Sequence, residues 1–288
     1  MGTVPQRLLI IGSRGFTGRH LLTRLAANLA VVVTEASDHG LDLRRPDTIA
    51  RTLDATDPQT VLNLGAISTV VTEDVRGLYE VNAFGQLNLL QCLAERGFTD
   101  RLVFASSASI YGGSVGGAIA EDQPPDPLNH YAFSKQLAEN FCRLFADRCD
   151  IVVVRPFNCI GLGQRETFLV PRIVRHFRDR AAAIELGNLE IERDFIDIRD
   201  AVRAYELILT APHPPTPVHI ASGRTASIRD IISTLEELTG HRMEVRVDPA
   251  LVRANDLHRQ QADILRLESL GFVRRYSLHD TLAWMLGS

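Results

Sequence analysis

A strand, a glycine-rich turn and a helix are predicted at the start of the chain, and this order constrains the fold more than any other feature. Gly12, Gly15 and Gly18 follow the apolar run Leu8–Ile11 and precede an amphipathic segment. Glycines at this spacing allow a tight turn and a close approach of the backbone to a ligand, and the amides at a helix N-terminus attract an anion such as a pyrophosphate. The pattern therefore predicts a βαβ unit with a dinucleotide-binding turn.

The first half of the chain continues to alternate between short apolar runs and longer amphipathic ones. Strands are predicted at Arg7–Ile11, Ala30–Thr34, Thr60–Leu64, Arg101–Ser106 and Ile151–Arg155, and helices at Phe16–Asn28, Tyr79–Glu95 and Tyr131–Asp147. The strands are continuous apolar runs, which suits a parallel sheet that is covered on both faces. The predicted fold class is therefore α/β, a Rossmann-type doubly wound parallel sheet.

The alternation loosens after Arg155. Further helices are predicted at Phe168–Arg178, Asp200–Thr210 and Ser227–Thr239, the last with Ser227 as its cap and Gly240 as its stop. We expect a dinucleotide-binding domain over residues 1–160, to which later segments return, and a smaller α/β substrate-binding lobe over residues 161–288. This lobe is expected at the carboxyl end of the sheet.

Composition excludes several classes of function. The chain has 288 residues, 45% hydrophobic and 23% charged, and a net charge of −4, so nothing favours nucleic acid or an anionic membrane as a partner. No apolar run is long enough to span a bilayer, and Met1–Arg7 does not look like a secretion signal. The four cysteines form no C-x-x-C pair and the nine histidines show no ligand spacing. We therefore expect a cytoplasmic protein with reduced thiols and no bound metal.

Glu35 ends the second predicted strand, 17 positions after Gly18. A carboxylate there accepts hydrogen bonds from the adenosine ribose and repels a 2′-phosphate, whereas Arg14, Arg44 and Arg45 would offset that repulsion. The sequence thus favours NAD(H) slightly over NADP(H). We expect four further residues at this cofactor site, namely Phe16 and Thr17 in the glycine turn, and Asp42 and Leu43 at the end of a third strand, within reach of the adenine.

Tyr131 and Lys135 stand four residues apart, so a helix places them on one face. A free tyrosine has a pKa of about 10, too high for efficient proton exchange at neutral pH. An ammonium beside the phenol lowers that pKa, and a bound nicotinamide ring would add to the effect. The pair is therefore a candidate acid/base couple.

The run Ser106–Gly112, upstream of this pair, makes the chain resemble the extended short-chain dehydrogenase/reductases, which include NAD(P)-dependent nucleotide-sugar epimerases, dehydratases and reductases. The segments 155–164, 186–200 and 247–256 are most similar to the GDP-4-keto-6-deoxymannose reductase branch. The resemblance implies a nucleotide-sugar substrate, most readily one linked to GDP.

The resemblance also implies roles for individual residues. Ser107 would polarise the substrate oxygen, Tyr131 would be the acid/base, and Lys135 would assist it and hold the nicotinamide ribose. Further cofactor contacts are implied for Leu64, Gly65 and Ala66 at the fourth strand, for Asn82, which would also support the active-site helix, and for Pro156. Substrate contacts are implied for Ser109, Asn158, Val170, the diphosphate-clamping Arg193 and Arg253, and the ribose-binding Asp256.

Ser109 narrows the reaction. Dehydratases of this family usually carry a carboxylate at this position, two residues before Tyr111, and GDP-fucose synthases carry a cysteine. A serine cannot act as the acid or base that either of these reactions needs, so dehydration and epimerisation at C3 and C5 are both disfavoured. Ser109 also differs from the glutamate that many reductases of the family have at this position. Reduction of a C4 ketone and 4-epimerisation with tightly bound NAD both remain open, since both use the same catalytic residues. A non-catalytic, cofactor-sensing protein is disfavoured because Ser107, Tyr131 and Lys135 are all present.

The two helices predicted around residues 82–95 and 131–148 carry more apolar residues than one sheet needs: Leu87, Leu90, Leu93, Phe133, Leu137, Phe141 and Leu144. Members of the family pair such helices across a dimer interface, so a homodimer is expected. The alternative is that these side chains only pack on the sheet.

Overall fold

The computed structural model describes residues 7–26, 32–68, 73–112, 117–252 and 258–287. The strands in these ranges are β1 (Arg7–Ile11), β2 (Val32–Glu35), β3 (Thr60–Asn63), β4 (Arg101–Ala105), β5 (Ala118–Ile119), β6 (Asp150–Pro156), β7 (Asn158–Ile160), β8 (Ala183–Leu186), β9 (Glu192–Asp197), β10 (Val218–Ile220), β11 (Thr225–Ser227), β12 (Glu244–Val247) and β13 (Arg259–Ala262). The α-helices are α1 (Phe16–Leu25), α2 (Pro46–Thr56), α3 (Val75–Tyr79), α4 (Gly85–Glu95), α5 (His130–Leu144), α6 (Leu169–Arg178), α7 (Ile198–Thr210), α8 (Ile228–Thr239), α9 (Leu265–Glu268) and α10 (Leu278–Leu286).

The first sheet has the strand order β10-β6-β4-β3-β1-β2, and every pairing in it is parallel. Helices α1 and α7 pack on one face through a shared apolar core, and α2, α4 and α5 pack on the other. The chain reverses its direction of travel across the sheet at β1, between β2 and β3. This switch point opens a crevice at the carboxyl ends of β1 and β3, where parallel α/β sheets bind ligands.

The second lobe is built on a sheet of order β11-β9-β13-β5, with β7 beside β9, and on the separate pair β12-β8. Its own apolar core joins α6, α8 and α10 to β8. The later helix α7 packs on the first sheet, and the later strand β10 pairs with β6 in it. The exact division at residue 160 stays a prediction.

Two strand assignments were wrong. Asp42 and Leu43 end no strand, because Ala36–His39 forms a 3₁₀ turn that Gly40 ends at φ 67° and Pro46 then opens α2. The third strand is therefore β3, and Leu64–Ala66 follow the third strand rather than the fourth. Both segments nevertheless lie next to the predicted cofactor crevice, because Leu43 Cδ1 would be 3.1 Å from a Cβ added at Gly65.

The helices differ from prediction mainly at their ends. The helix predicted from Tyr79 begins at Val75, where Asp74 Oδ1 accepts a hydrogen bond from Gly77 N, and it contains a π-helical turn over Glu80–Phe84. The helix predicted over Tyr131–Asp147 begins at His130, and Leu144 is its last residue. Asn28 and Ala30, predicted element ends, lie outside the described residues. Among the helices within the described ranges, none combines the length and apolar character needed to cross a bilayer.

Candidate active site

The glycine turn lies directly against the loop that follows β3. Gly12 has φ +83°, and a Cβ added to it would lie 2.8 Å from Gly65 N, so a side chain at this position would not fit. Helix α1 begins at Phe16, and its capping residue Gly15 has no side chain that could bind the first amides. No acidic residue occupies its first turn. The amides of the first turn, including those of Thr17 and Gly18, have no partner within the helix. This open N-terminus fits the pyrophosphate of a dinucleotide.

The β3 loop is held in place by buried amide side chains. Asn63 Oδ1 accepts a hydrogen bond from Gly65 N at 2.9 Å, and Asn63 Nδ2 donates to Gln86 Oε1 on α4 at 2.8 Å. Leu64, Gly65 and Ala66 are consequently fixed at the carboxyl end of β3, opposite Gly12. The structure thus brings the two predicted halves of the nicotinamide cofactor site together.

Asn82 connects this loop to the helix that carries Tyr131. Its Oδ1 accepts from Ile67 N at 2.8 Å, and its Nδ2 donates to Ile67 O at 3.0 Å and to Ser134 Oγ at 3.1 Å. The π-helical turn at Glu80–Phe84 contains this buried residue. Both the oxygen and the nitrogen of the Asn82 amide are thus bonded within the protein. In this geometry Asn82 contributes to cofactor binding indirectly, by holding the β3 loop and α5 in place.

At the predicted adenosine end, Glu35 is the last residue of β2 and pairs with Ile10 of β1. The nearby arginines are engaged by neighbouring carboxylates. Arg14 Nη2 donates to Asp38 Oδ1 at 3.2 Å, and Arg44 donates to both carboxylate oxygens of Asp42 at 3.0 and 2.6 Å. The hydrogen bond from Arg44 lowers the pKa of Asp42. Arg45 is paired with Asp47 in the same manner.

The three predicted catalytic side chains meet at the carboxyl end of β4. Ser107 follows β4 and caps a 3₁₀ turn over Ala108–Tyr111, while Tyr131 and Lys135 lie on α5, whose first turn Asn129 caps through Ala132 N. Ser107 lies close enough to Tyr131 for its hydroxyl to lower the pKa of the phenol. Lys135 Nζ is buried, donates to Ala105 O at 2.7 Å and lies 5.0 Å from the centroid of the Phe104 ring. Pro156 ends β6, which pairs with β4.

The pKa values of Tyr131 and Lys135 differ from the expectation based on the sequence. Burial raises the pKa of Tyr131, and the hydrogen bond from Ser107 opposes that rise without cancelling it. Burial also lowers the pKa of Lys135 to about 8, although the charge of Glu139 opposes this. The expected lowering of the Tyr131 pKa is therefore not produced by the protein's own groups, because desolvation outweighs the charge of Lys135, whose ammonium donates to Ala105 O. Tyr131 is a protonated phenol at neutral pH.

Ser109 faces back onto the catalytic serine. Its backbone N–H donates to Ser107 Oγ at 3.1 Å, and Ser107 Oγ lies 3.1 Å from Ser109 Oγ. The turn therefore presents two hydroxyl groups where a dehydratase of this family presents a carboxylate. This pair can orient a substrate oxygen, but it does not supply a second acid or base.

The predicted substrate residues are only partly brought together. Asn158 and Arg193 lie on the neighbouring strands β7 and β9, where Asn158 Nδ2 donates to Asp194 O at 3.0 Å and Arg193 Nη1 donates to Glu192 O at 2.8 Å. Val170 is only 3% exposed and belongs to the core of the second lobe, so its side chain is not presented to a ligand. Arg253 and Asp256 lie outside the described residues.

Two groups near the centre were not singled out as site residues by the sequence. Ser106 Oγ is buried and has no hydrogen-bond partner within the described part of the chain. Cys159 is close enough to Tyr131 for its charge to affect the pKa of the phenol, and burial raises its own pKa to about 12. The position of Ser106 at a strand's carboxyl end was the available signal. Across the described ranges, no cluster of His, Cys, Asp or Glu is arranged to hold a metal ion.

Comparison with known proteins places this geometry in context. A family model described as the NAD dependent epimerase/dehydratase family matches residues 8–221. GDP-6-deoxy-D-mannose reductase of Pseudomonas aeruginosa is 32% identical over 293 residues, covering 98% of this chain and 92% of the relative. GDP-6-deoxy-D-talose 4-dehydrogenase of Aggregatibacter actinomycetemcomitans is 31% identical over 263 residues, covering 91% of this chain and 90% of the relative.

Solved structures agree with these relatives. The structure of RMD from Pseudomonas aeruginosa complexed with NADPH has a TM-score of 0.89 and 30% identity, and the match covers 100% of this chain and 98% of that one. MoeE5 in complex with UDP-glucose and NAD has a TM-score of 0.84 and 27% identity, with 98% and 97% of the two chains covered. The architecture and the first sheet of the present chain are thus those of known nucleotide-binding relatives.

Proposed function

The chain belongs to the NAD dependent epimerase/dehydratase family, and we propose that it reduces the C4 keto group of a GDP-linked 6-deoxy-4-keto sugar with NAD(P)H. The observation that carries this proposal is the meeting of Ser107, Tyr131 and Lys135 at the carboxyl end of β4, beside a glycine turn that fits a dinucleotide. As a member of this family, the protein is an NAD(P)-dependent enzyme of nucleotide-sugar metabolism.

The choice of substrate is supported by the two relatives that are more than 30% identical over most of both chains. Both are named for GDP-linked 6-deoxy sugars, and the second is named for oxidation or reduction at position 4. A diphosphate requires permanently charged donors, and Arg193 on β9 is the candidate among the described residues. Arg253 and Asp256 stay predicted ligands of the diphosphate and the ribose.

Two features of the centre favour reduction over dehydration. Ser109 and Ser107 form a hydroxyl pair, so the turn holds no extra acid or base for removing water from the sugar. Burial keeps Tyr131 protonated at neutral pH, and a protonated phenol is the form that donates to a carbonyl oxygen.

The residues divide the work of the reduction as follows. A bound nicotinamide cofactor supplies the hydride that the carbonyl carbon needs. Tyr131 transfers its phenolic proton to the carbonyl oxygen, while the Ser107 hydroxyl donates a hydrogen bond to that oxygen and stabilises its developing charge. Lys135, with a pKa of about 8, is mostly charged at neutral pH and stabilises the phenolate that Tyr131 becomes. Water then restores the proton of Tyr131.

Three finer assignments accompany this function. The carboxylate of Glu35 and the neutralised arginines beside it support a preference for NAD(H). Exposed and half-buried apolar residues on α4, α5 and the π-helical turn support a homodimer. The free cysteines, buried or half-buried, suit a protein of the reducing cytoplasm.

The test is to incubate the purified protein with NADH or NADPH and a panel of GDP-, dTDP- and UDP-linked 4-keto-6-deoxy sugars, following cofactor absorbance and product stereochemistry. We expect the GDP-linked ketone to be reduced fastest. The matched control is Tyr131→Phe, which keeps the ring and removes the proton, and which should lower kcat about 10²- to 10⁴-fold while cofactor binding persists. The proposal fails if no keto sugar oxidises either cofactor.

The 4-epimerase alternative uses the same three residues, and the same experiment separates it. An epimerase would retain its cofactor through purification and interconvert a plain nucleotide hexose without net consumption of NAD(P)H. That result would replace reduction by epimerisation and leave the roles of Tyr131 and Lys135 unchanged.

A further inference from the structure

Arg155, near the end of β6, stands at the centre of a buried network. Its side chain donates from Nε and Nη2 to the two carboxylate oxygens of Glu139 at 2.9 and 2.6 Å. From Nη1 it donates to Tyr111 OH at 2.5 Å and to Glu121 O at 2.8 Å. Arg155 is only 6% exposed. A forked, bidentate contact of this kind fixes orientation as well as distance, which a single ammonium does not do.

The partners of Arg155 lie on the two segments that carry the catalytic residues. Glu139 is on α5, four residues after Lys135 and therefore on the same helical face. Tyr111 ends the 3₁₀ turn that Ser107 caps. Arg155 itself is on a third segment, the strand next to β4. One side chain thus ties the serine segment to the tyrosine–lysine helix without touching any reacting atom.

The hydrogen bonds of the network have one consistent direction. Because Arg155 donates to Tyr111 OH, that hydroxyl donates onward to His219 Nε2 at 2.7 Å. His219 then carries its proton on Nδ1, which donates to Asp263 O at 2.9 Å. Burial lowers the pKa of His219 to about 4, so the imidazole is neutral, as this arrangement requires. The Tyr111 hydroxyl is therefore held by Arg155 on one side and by His219 on the other.

The network also balances charge next to the catalytic lysine. Glu139 is buried, and its negative charge acts against the burial that lowers the pKa of Lys135. A buried carboxylate without a partner is strongly destabilising. The guanidinium of Arg155 is the bidentate partner of the Glu139 carboxylate in this position, so the electrostatic support of Lys135 depends on Arg155.

We propose that Arg155 is a positioning residue, which sets the place of Ser107 relative to Tyr131 and Lys135 through its contacts with Tyr111 and Glu139. The inference rests on the proposed function for its kinetic consequence, because a misplacement of about 1 Å in such a centre costs roughly 10²-fold in rate. Its structural consequence, a change in the surroundings of the Tyr131 ring, is independent of the substrate.

The test uses Arg155→Lys, which keeps the charge but loses the fork, and Tyr111→Phe, which removes one hydroxyl and leaves the Arg155–Glu139 pair intact. The control is Arg203→Lys, because Arg203 is also largely buried and bonds to Asp200 Oδ1 and Val273 O, both at 3.0 Å, away from the catalytic segments. All variants are made with fluorotyrosine at every tyrosine, five in the unmodified chain and four in Tyr111→Phe, so that ¹⁹F NMR reports on Tyr131.

We expect kcat to fall about 10- to 100-fold in both Arg155→Lys and Tyr111→Phe, with little change in KM for the cofactor. The Tyr131 resonance should shift in both variants and stay in place in Arg203→Lys. If Arg155→Lys does not fold, Tyr111→Phe decides alone. A Tyr131 resonance that stays in place in Tyr111→Phe overturns the inference. Absence of keto-sugar reduction by the unmodified enzyme would sink the proposed function instead, and the NMR result would still decide the role of Arg155.

Discussion

Arg14 and Asp38 form an ion pair beside Glu35, with Arg14 Nη2 3.2 Å from Asp38 Oδ1. Both side chains are largely exposed, so the pair adds little to stability, but it keeps a carboxylate next to the Arg14 guanidinium. The two other arginines of this region are held by acidic neighbours in the same way. The positive charges that would attract a 2′-phosphate are therefore already compensated, while the carboxylate that repels it is retained.

Cofactor preference should follow these charges. We expect Glu35→Ser together with Asp38→Asn to raise kcat/KM for NADPH relative to NADH about tenfold or more, which corresponds to roughly 1.4 kcal/mol of removed repulsion. The measurement is the ratio of kcat/KM for the two cofactors. Asp57→Asn is the control, since Asp57 pairs with Arg7 at the opposite end of β1. A ratio that stays constant in the double variant would contradict this account of selectivity.

The pH dependence of the reaction should report Lys135. Its pKa of about 8 means that the ammonium is present below that pH and is lost above it, whereas the raised pKa of Tyr131 keeps the phenol protonated across the same range. We expect kcat/KM to fall as pH rises through about 8, because this parameter reports the free enzyme. In Lys135→Arg, whose charge is permanent, the fall near pH 8 should disappear even if the rate is lower. Persistence of the same alkaline limb in that variant would assign it to another group.

Acid stability should depend on His219. Burial lowers its pKa from 6.5 to about 4, so the folded state binds fewer protons than the unfolded state between these pH values. Its contribution to stability is complete above pH 6.5 and is lost as pH falls toward 4, on the order of 3 kcal/mol at 1.36 kcal/mol per unit. Urea unfolding of the protein and of His219→Gln at several pH values tests this. Between pH 4 and 6.5, the free energy of unfolding of the variant should change with pH less steeply, by an amount that corresponds to about one bound proton. Equal slopes for the two proteins would refute the assignment.

The apolar face of the two long helices divides into two groups. Leu90 and Leu93 lie in the core, as the alternative interpretation held, but Phe133 is 47% and Leu144 is 72% exposed. If the exposed group forms a dimer interface, Phe133→Glu combined with Leu144→Glu should convert the protein to a monomer, because the new charges would be buried without partners. Light scattering after size-exclusion chromatography measures this. Leu265→Glu, at a 68% exposed position on α9, should leave the mass unchanged.

Continuous apolar runs made the first sheet predictable. The ends of β1, β3, β4 and β6 fall within one residue of the prediction, because buried parallel strands consist of β-branched and other apolar residues on both faces. The turn around Asp42 was mistaken for a strand end because its structure depends on Gly40 and Pro46 rather than on any periodic pattern. The π-helical turn has no comparable signal, since Asn82 defines it through contacts with residues 15 and 52 positions away.

Site residues could be predicted from the sequence where the residues that act together are close to each other in the chain. Spacing placed Tyr131 and Lys135 on one face, and the structure places them so. The pKa shifts were not predictable, because they depend on how deeply the fold buries each group. The role of Arg155 was hidden as well, since it lies 16 residues from Glu139 and 44 from Tyr111, and only the pairing of β4 with β6 brings the three together.

The late return of β10 to the first sheet has a consequence for biosynthesis. A nascent chain that ends before Val218 presents β6 as an open edge, because β10 is the strand that covers it. The first half emerging from the ribosome therefore cannot finish its sheet until the chain has been translated through Ile220, almost halfway along the second lobe. A truncated product cut near residue 160 should aggregate through that edge instead of persisting as an independent dinucleotide-binding fragment.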